Sequence, residues 1–408
     1  MSIPKMRFYG YDSSWKVSKL GELFEIYSGN TPSRSDRNNY DNGTIPWIKT
    51  TDLNNSLIYV NEEKITDHGA KKLKTLPKNT ILIAMYGGFN QIGRTGLLTY
   101  PATINQALAS LLPVKEINSY FLLNYLNLRK DSWRNVAASS RKDPNITKND
   151  VEKFKISFPS LEEQSAIGSL FRILDDLLAS YKENLANYQS LKATMLSKMF
   201  PKAGLTVPEI RLYGFEGEWE VQILKEIASF SKGNGYTKND LVNSGKEIIL
   251  YGRLYTNYQT VISKVNTFVT TVKANTVLSK GGEVIVPASG ESAKDISRAS
   301  VVEKSGIILG GDLNIIYPDE NKVDSIFLAL TISNGSQQKE LIKRAQGKSV
   351  VHLRNNDLEK VVLHYPSMEE QQAIGSYFSN LDQLITSYQE KITQLETLKK
   401  KLLQDMFV

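Results

Sequence analysis

The segment Pro159–Pro201 recurs without a gap as Pro366–Val408, and 21 of the 43 aligned positions are identical. A repeat of that length is internal duplication. Each copy opens on a proline followed by S-x-x-E, with Ser160 and Glu163 in one and Ser367 and Glu370 in the other. That is the spacing of a capping box: the serine oxygen accepts the third-position N–H while the glutamate reaches back. A proline just outside a helix costs it no hydrogen bond. Beyond the cap, Ile167, Leu170, Leu174, Leu177, Tyr181, Tyr188, Leu191 and Met195 keep a heptad-like seam, widened by Phe171, Leu178, Leu185 and Met199. The second copy continues with Ile374, Tyr377, Leu381, Leu384, Tyr388, Leu395, Leu398 and Leu402, widened by Phe378, Ile385, Ile392 and Met406. Seams this long need a partner. The pattern predicts two long helices packed on each other, against the plainer alternative of two core helices in a bundle. Gly168 and Gly375 interrupt both at the same register. A mid-helix glycine costs about 1 kcal/mol relative to alanine, so close approach of another backbone, from the partner helix or a docked subunit, is expected there.

The duplication reaches further. "PKMRFYGYDSSWKV" (Pro4–Val17) matches "PEIRLYGFEGEWEV" (Pro208–Val221), and "NDVEKFKISFP" (Asn149–Pro159) matches "NDLEKVVLHYP" (Asn356–Pro366). Between these anchors, over Leu20–Lys148 and Leu224–Asn355, the two halves hardly resemble one another. Shared scaffolding around divergent blocks suggests one task performed on two targets. The blocks read as mixed α/β. "TILIAMYG", "EVIVPASG" and "GIILGGDLNIIYP" are strand-like runs bounded by Gly and Pro, and Glu116–Trp133 and the segment from Lys322 to Arg344 are partly helical. The predicted architecture is α+β: two mixed α/β domains separated by two long antiparallel coiled-coil helices, with pseudo-two-fold symmetry. Its boundaries are 1–158, 159–203, 204–365 and 366–408. About 39 residues at 1.5 Å rise place the attachments roughly 58 Å apart.

At 408 residues the chain exceeds one ordinary domain. No apolar run approaches the eighteen or so residues that span a bilayer. The opening "MSIPKMRFYGYDSSW" lacks an apolar signal core, and the absence of cysteine excludes disulfides and thiolate chemistry. A reducing, cytoplasmic setting is therefore expected. The net charge of +7 lies outside the two repeated segments, which fits a polyanionic partner.

The sequence lacks an assembled catalytic centre. "GKS" at Gly347–Ser349 fails as a phosphate loop because Ile342 stands where the first glycine is needed. "PDENK" at Pro318–Lys322 compresses a nuclease-like spacing into what reads as a loop. His68, His352 and His364 are scattered without ligand spacing, so no metal site is predicted. Side chains that read nucleic acid are plentiful instead. Arginine pairs with guanine, Asn and Gln with adenine, and Lys with phosphate. The first block offers Arg34, Arg37, Asn38, Lys49, Tyr86, Asn90, Gln91, Arg94, Arg141 and Lys142; the second offers Lys232, Tyr236, Lys238, Arg253, Tyr255, Asn257, Tyr258, Lys294, Arg298, Arg344 and Lys348.

With two divergent blocks, each followed by P-S-x-E-E-Q-x-A-I and a long helix, the chain resembles the specificity subunit of type I restriction–modification systems over essentially its whole length. The openings "RFYGYDSSW" and "RLYGFEGEW" resemble that family too, and "NDLEKVVLHYPSMEEQQAI" is particularly specific. The resemblance implies a non-catalytic subunit. Each block would read one half of a bipartite, asymmetric DNA site, while the paired helices set the spacer and dock two methyltransferase subunits, joined by restriction subunits where the system has them. S-adenosylmethionine, ATP and Mg would sit on those partners, and this chain would hold no cofactor. Residues assigned to helix pairing or docking are Glu163, Ile167, Gly168, Phe171, Leu174, Tyr181, Glu370, Ile374, Gly375, Phe378, Leu381 and Tyr388. The competing reading is a protein–protein scaffold with no DNA role. Its binding would lack the steep salt dependence of phosphate contacts.

Overall fold

The computed structural model describes residues 3–88, 90–137, 145–347 and 350–408. The chain forms two compact units, one from Met1–Lys182 with Glu390–Val408 and one from Glu183–Gln389. The two repeated segments are the helices Leu161–Lys198 and Met368–Met406. Each helix contributes to both units.

Each unit is built on a five-stranded sheet. In the first, the order is Ile26–Ser28, Leu108–Leu111, Ile81–Ala84, Thr95–Leu98, Ser56–Ile58. Neighbours are antiparallel except the last pair. The second runs Ala228–Lys232, Leu313–Pro318, Val284–Pro287, Ser300–Val302, Val261–Ile262, again antiparallel until a final parallel pair. Blocks with almost no common sequence therefore share strand order and strand sense. Their central strands, ILIA and VIVP, are buried on both faces. That accounts for continuous apolar runs instead of alternation.

A short antiparallel ribbon closes each block on itself. Lys16–Lys19 pairs with Lys155–Phe158, and Glu220–Ile223 with Val362–Tyr365. The ribbon brings both ends of the variable sequence to the start of a long helix. There the serines act as expected: the Oγ atoms of Ser160 and Ser367 accept the N–H of Glu163 and Glu370 at 3.3 and 3.4 Å. The glutamates do not complete a capping box. Glu163 accepts the Arg7 Nε–H and Nη2–H at 2.7 Å each, and Glu370 accepts those of Arg211 at 2.7 and 2.6 Å. A fully buried carboxylate needs a cation, and the openings of the two halves supply it.

The seam also departs from the heptad expectation. Ile167, Phe171 and Leu174 pack into the core of the first domain, and Ile374 and Phe378 into that of the second. Leu177, Leu191 and Leu398 stay 39%, 41% and 45% exposed. The first turns of each helix are apolar on more than one side, so they plug a domain core instead of zippering to the partner helix. Gly168 follows the same logic. A Cβ there would lie 2.8 Å from Asn118 Oδ1, the N-cap of helix Ser119–Leu128. The close approach comes from the chain's own domain. At Gly375 the nearest atoms, on Asp324 and Ile326, are 3.4 Å away.

Helix pairing is visible within each unit. In the first, Lys399 binds Asp175 and Lys182 binds Glu396 at 2.7 Å. In the second, Lys192 binds Asp382, and the Tyr188 and Tyr388 rings lie 5.3 Å apart. Partner numbers rise on one helix as they fall on the other, so the pairing is antiparallel.

Candidate DNA interface

Strand register gathers the variable loops at one end of each sheet. In the first, Ser28 lies opposite Ala109, Ala84 opposite Leu108, and Ile83 opposite Thr95. The loops after Ser28, between Ala84 and Thr95, and before Leu108 and Ser56 therefore leave from the same edge. Gln106 stitches two of them together: its carbonyl accepts the Ser28 hydroxyl at 3.2 Å, and its side chain takes the Thr31 hydroxyl. In the second sheet Lys232 lies opposite Asn314, Pro287 opposite Leu313, and Ile285 opposite Ser300. Loops 233–240, 250–260, 288–299 and 310–312 emerge together. The other end of each sheet leads to the helices. Gln164 accepts the Asn118 N–H at 3.0 Å and donates to the Glu116 carbonyl at 3.1 Å. Gln371 repeats this with Asp324 at 2.9 Å and Lys322 at 2.8 Å. "PDENK" is accordingly a turn that caps this junction, with the Lys322 N–H on the Asp319 carbonyl.

At the loop end of the first sheet, Arg34, Arg37, Asn38, Tyr86 and Asn90 are exposed, and Lys49, Gln91 and Arg94 are half-buried. Arg34 is held. Its guanidinium grips the Glu63 carboxylate with two bonds and lies over the rings of Tyr40 and Trp47, 4.5 and 5.1 Å from their centroids. Lys49 joins Glu63 at 3.0 Å. Arg34 first and Lys49 after it keep the Glu63 carboxyl below the usual range. A guanidinium fixed in this way presents its remaining N–H edge with little freedom to lose on binding. Arg141 and Lys142 lie outside the described residues, as does Lys348 of the second block.

In the second domain Lys232, Lys238, Asn257 and Lys294 are exposed, and Tyr255, Tyr258 and Arg298 half-buried. Arg298 lies 5.5 Å from the Tyr258 ring centroid, beside a cavity of about 280 Å³ bounded by Lys192, Lys294 and Gln338. Three candidates are redirected by the structure. Tyr236 is buried; its hydroxyl accepts the Lys273 N–H at 2.7 Å and meets Thr276 Oγ1 at 2.9 Å, so it pins a loop instead of facing a ligand. Arg253 donates to Asn266, Gln259 and the Lys264 carbonyl, at 3.1, 2.9 and 2.8 Å, and burial depresses its pKa. Arg344 is not in a loop: it lies in the last turn of helix Gly335–Arg344, paired with Glu340 at 2.6 Å.

Sequence reasoning missed Glu63, Tyr40 and Trp47, whose part depends on tertiary placement. It also passed over Gln164 and Gln371, although their identity in both copies was a usable signal. Of the residues assigned to helix pairing or docking, Glu163, Ile167, Gly168, Phe171 and Leu174 are buried against the first domain, and Glu370, Ile374, Gly375 and Phe378 against the second. Burial at those positions leaves no surface for another subunit. Leu381 is buried, and Tyr388 meets Tyr188. Among the described residues no His, Cys, Asp or Glu cluster could hold a metal ion, and no helix is long and apolar enough to cross a membrane.

The family model for the type I restriction modification DNA specificity domain matches residues 12–187 and again 216–397. The type I restriction enzyme MjaVIII specificity subunit of Methanocaldococcus jannaschii is 22% identical over 405 residues, covering 95% of this chain and 91% of that protein. The EcoR124I/EcoR124II specificity subunit of Escherichia coli is 29% identical over 175 residues, 42% of this chain and 43% of that one. Among solved structures, the type I restriction–modification S subunit from M. genitalium superposes with a TM-score of 0.64 at 18% identity, covering 100% of this chain and 99% of its own.

Proposed function

Since the chain belongs to the type I restriction–modification DNA specificity family, we propose that the loop end of each sheet reads one half of a bipartite, asymmetric DNA site. The observation that carries this is the pairing of one strand topology with two unrelated loop sets. The strand order fixes where the loops gather; the loops, rich in Arg, Asn, Gln and Lys, differ and so select different bases. The paired helices set the non-specific spacer and dock two methyltransferase subunits. Those partners carry S-adenosylmethionine and the methyl-transfer chemistry, with ATP and Mg on restriction subunits where the system has them. This chain contributes recognition and no catalysis.

The test is a chimera. Replacing Leu20–Lys148 with the corresponding block of another specificity subunit is expected to change one half-site in methylation mapping and leave the other and the spacer intact. A change at both half-sites contradicts modular reading. Adding one heptad to both helices is expected to lengthen the spacer alone.

A further inference from the structure

Six residues are identical between the openings Pro4–Val17 and Pro208–Val221: Pro4, Arg7, Tyr9, Gly10, Trp15 and Val17 with their counterparts. Folding explains four of them. Pro4 and Pro208 are buried. Arg7 and Arg211 neutralise Glu163 and Glu370. Gly10 and Gly214 adopt φ of +90° and +93°, which excludes most side chains. Trp15 and Trp219 fill the domain cores at 5% and 2% exposure.

Tyr9 and Tyr213 have no such explanation. They are 105% and 104% exposed, so nothing in their own domains covers either ring. Each occupies the corner of a tight turn, closed by the Tyr11 N–H on the Phe8 carbonyl in one copy and the Phe215 N–H on the Leu212 carbonyl in the other, at 3.4 Å. The turn is anchored on one side by the buried arginine and on the other by the buried tryptophan. An aromatic ring on so firm a mount loses little freedom when it is covered, and tyrosine is among the residue types that dominate protein interfaces. Val17 and Val221, in the adjoining ribbons, are 57% and 47% exposed and likewise identical.

Charge decides between DNA and protein as the occupant. Lys5 and Lys16 of the first opening are Glu209 and Glu220 in the second, so the basic side chain common to both is Arg7 or Arg211, already bound to Glu163 or Glu370. What both copies keep is an acid, Asp12 or Glu216, exposed three residues beyond the tyrosine. A carboxylate repels phosphate, and the openings are tied to the helices, through Met6 to Asp405 and Ile210 to Lys198, not to the loop ends.

We infer that Tyr9 and Tyr213 are two equivalent anchors for one kind of protein partner, present in two copies. That partner offers an apolar pocket for the phenol ring and a basic group for Asp12 or Glu216. Resting on the reading given under Proposed function, the partner is the methyltransferase subunit.

The experiment mixes the full-length chain with its methyltransferase subunit and counts bound copies by native mass spectrometry across a titration. The unaltered chain is expected to carry two copies. Tyr9→Ala and Tyr213→Ala are each expected to weaken one of the two binding steps by about tenfold or more, and the double variant both. Unchanged thermal midpoints are expected, since the rings touch nothing in the free chain. Two copies bound with unaltered affinity by the double variant overturn the inference and leave the two-subunit reading standing. Failure of the unaltered chain to bind two copies overturns that reading itself. Weakened DNA binding with intact subunit binding assigns the tyrosines to DNA and also overturns the inference.

Discussion

Phe407 stacks on Phe121, with ring centroids 5.2 Å apart, and Trp15 and Phe171 complete the cluster. The second domain repeats the group with Phe200 against Phe327, Trp219 and Phe378. In each case the far end of one long helix delivers the closing aromatic to a domain that begins the other. Phe407→Ala is expected to destabilise the first unit by about 3–5 kcal/mol and leave the second unchanged; Phe200→Ala reverses the pattern. Hydrogen exchange resolved by unit checks this.

The Arg7–Glu163 and Arg211–Glu370 pairs lie almost wholly out of water, the glutamates at 0% and 1% side-chain exposure. Breaking one by Arg7→Met strands a buried carboxylate and is expected to cost about 3–5 kcal/mol. Arg7→Met with Glu163→Leu is expected to recover most of that loss. Urea unfolding of the single and double variants measures the difference.

Gly168 and Gly375 share a register but not an environment. An alanine Cβ at 168 presses on the oxygen of Asn118 that caps helix Ser119–Leu128, where it accepts from the Tyr120 and Phe121 N–H groups at 3.0 Å each. Gly168→Ala is expected to destabilise by about 1 kcal/mol through the disturbed cap. Gly375→Ala meets ordinary van der Waals contacts, and gains up to about 1 kcal/mol from helix propensity. Thermal unfolding midpoints should move in opposite directions.

His364 sits in the ribbon strand Val362–Tyr365, and burial lowers its pKa from 6.5. Folded protein thus resists a proton that unfolded chain accepts. Stability is expected to be level above that value and to fall as pH drops below it toward the depressed pKa. In His364→Gln the fall should be shallower. Unfolding midpoints between neutral and mildly acidic pH distinguish the two.

The helices, their antiparallel sense and the α/β character of the blocks were legible because repetition and apolar spacing are local signals. Glu163 shows where that stops. Its position matched a capping box, but the outcome was set by Arg7, far away in sequence, and burial favoured the stronger partner. Leu177 and Leu191 kept the heptad spacing yet remain exposed, while Ile167, Phe171 and Leu174, on the same spacing, are claimed by a domain core. At the loop ends, residue type put Arg34 and Tyr236 forward alike as candidate nucleic-acid contacts and could not separate the exposed guanidinium from the ring that tertiary packing turned inward. The common strand order left no trace in the text of the two blocks, since many apolar sequences satisfy the same buried strands.

The second unit is a single run of chain, Glu183–Gln389, whereas the first is split between Met1–Lys182 and Glu390–Val408. On the ribosome, the domain made first must therefore wait. Trp15, Phe121 and Phe171 are synthesised early but lack the ring of Phe407 until the second long helix is complete, by which time the second unit already has all of its parts. The order of completion runs against the order of synthesis. A ribosome stalled just before Phe407 would hold a complete second unit and an incomplete first.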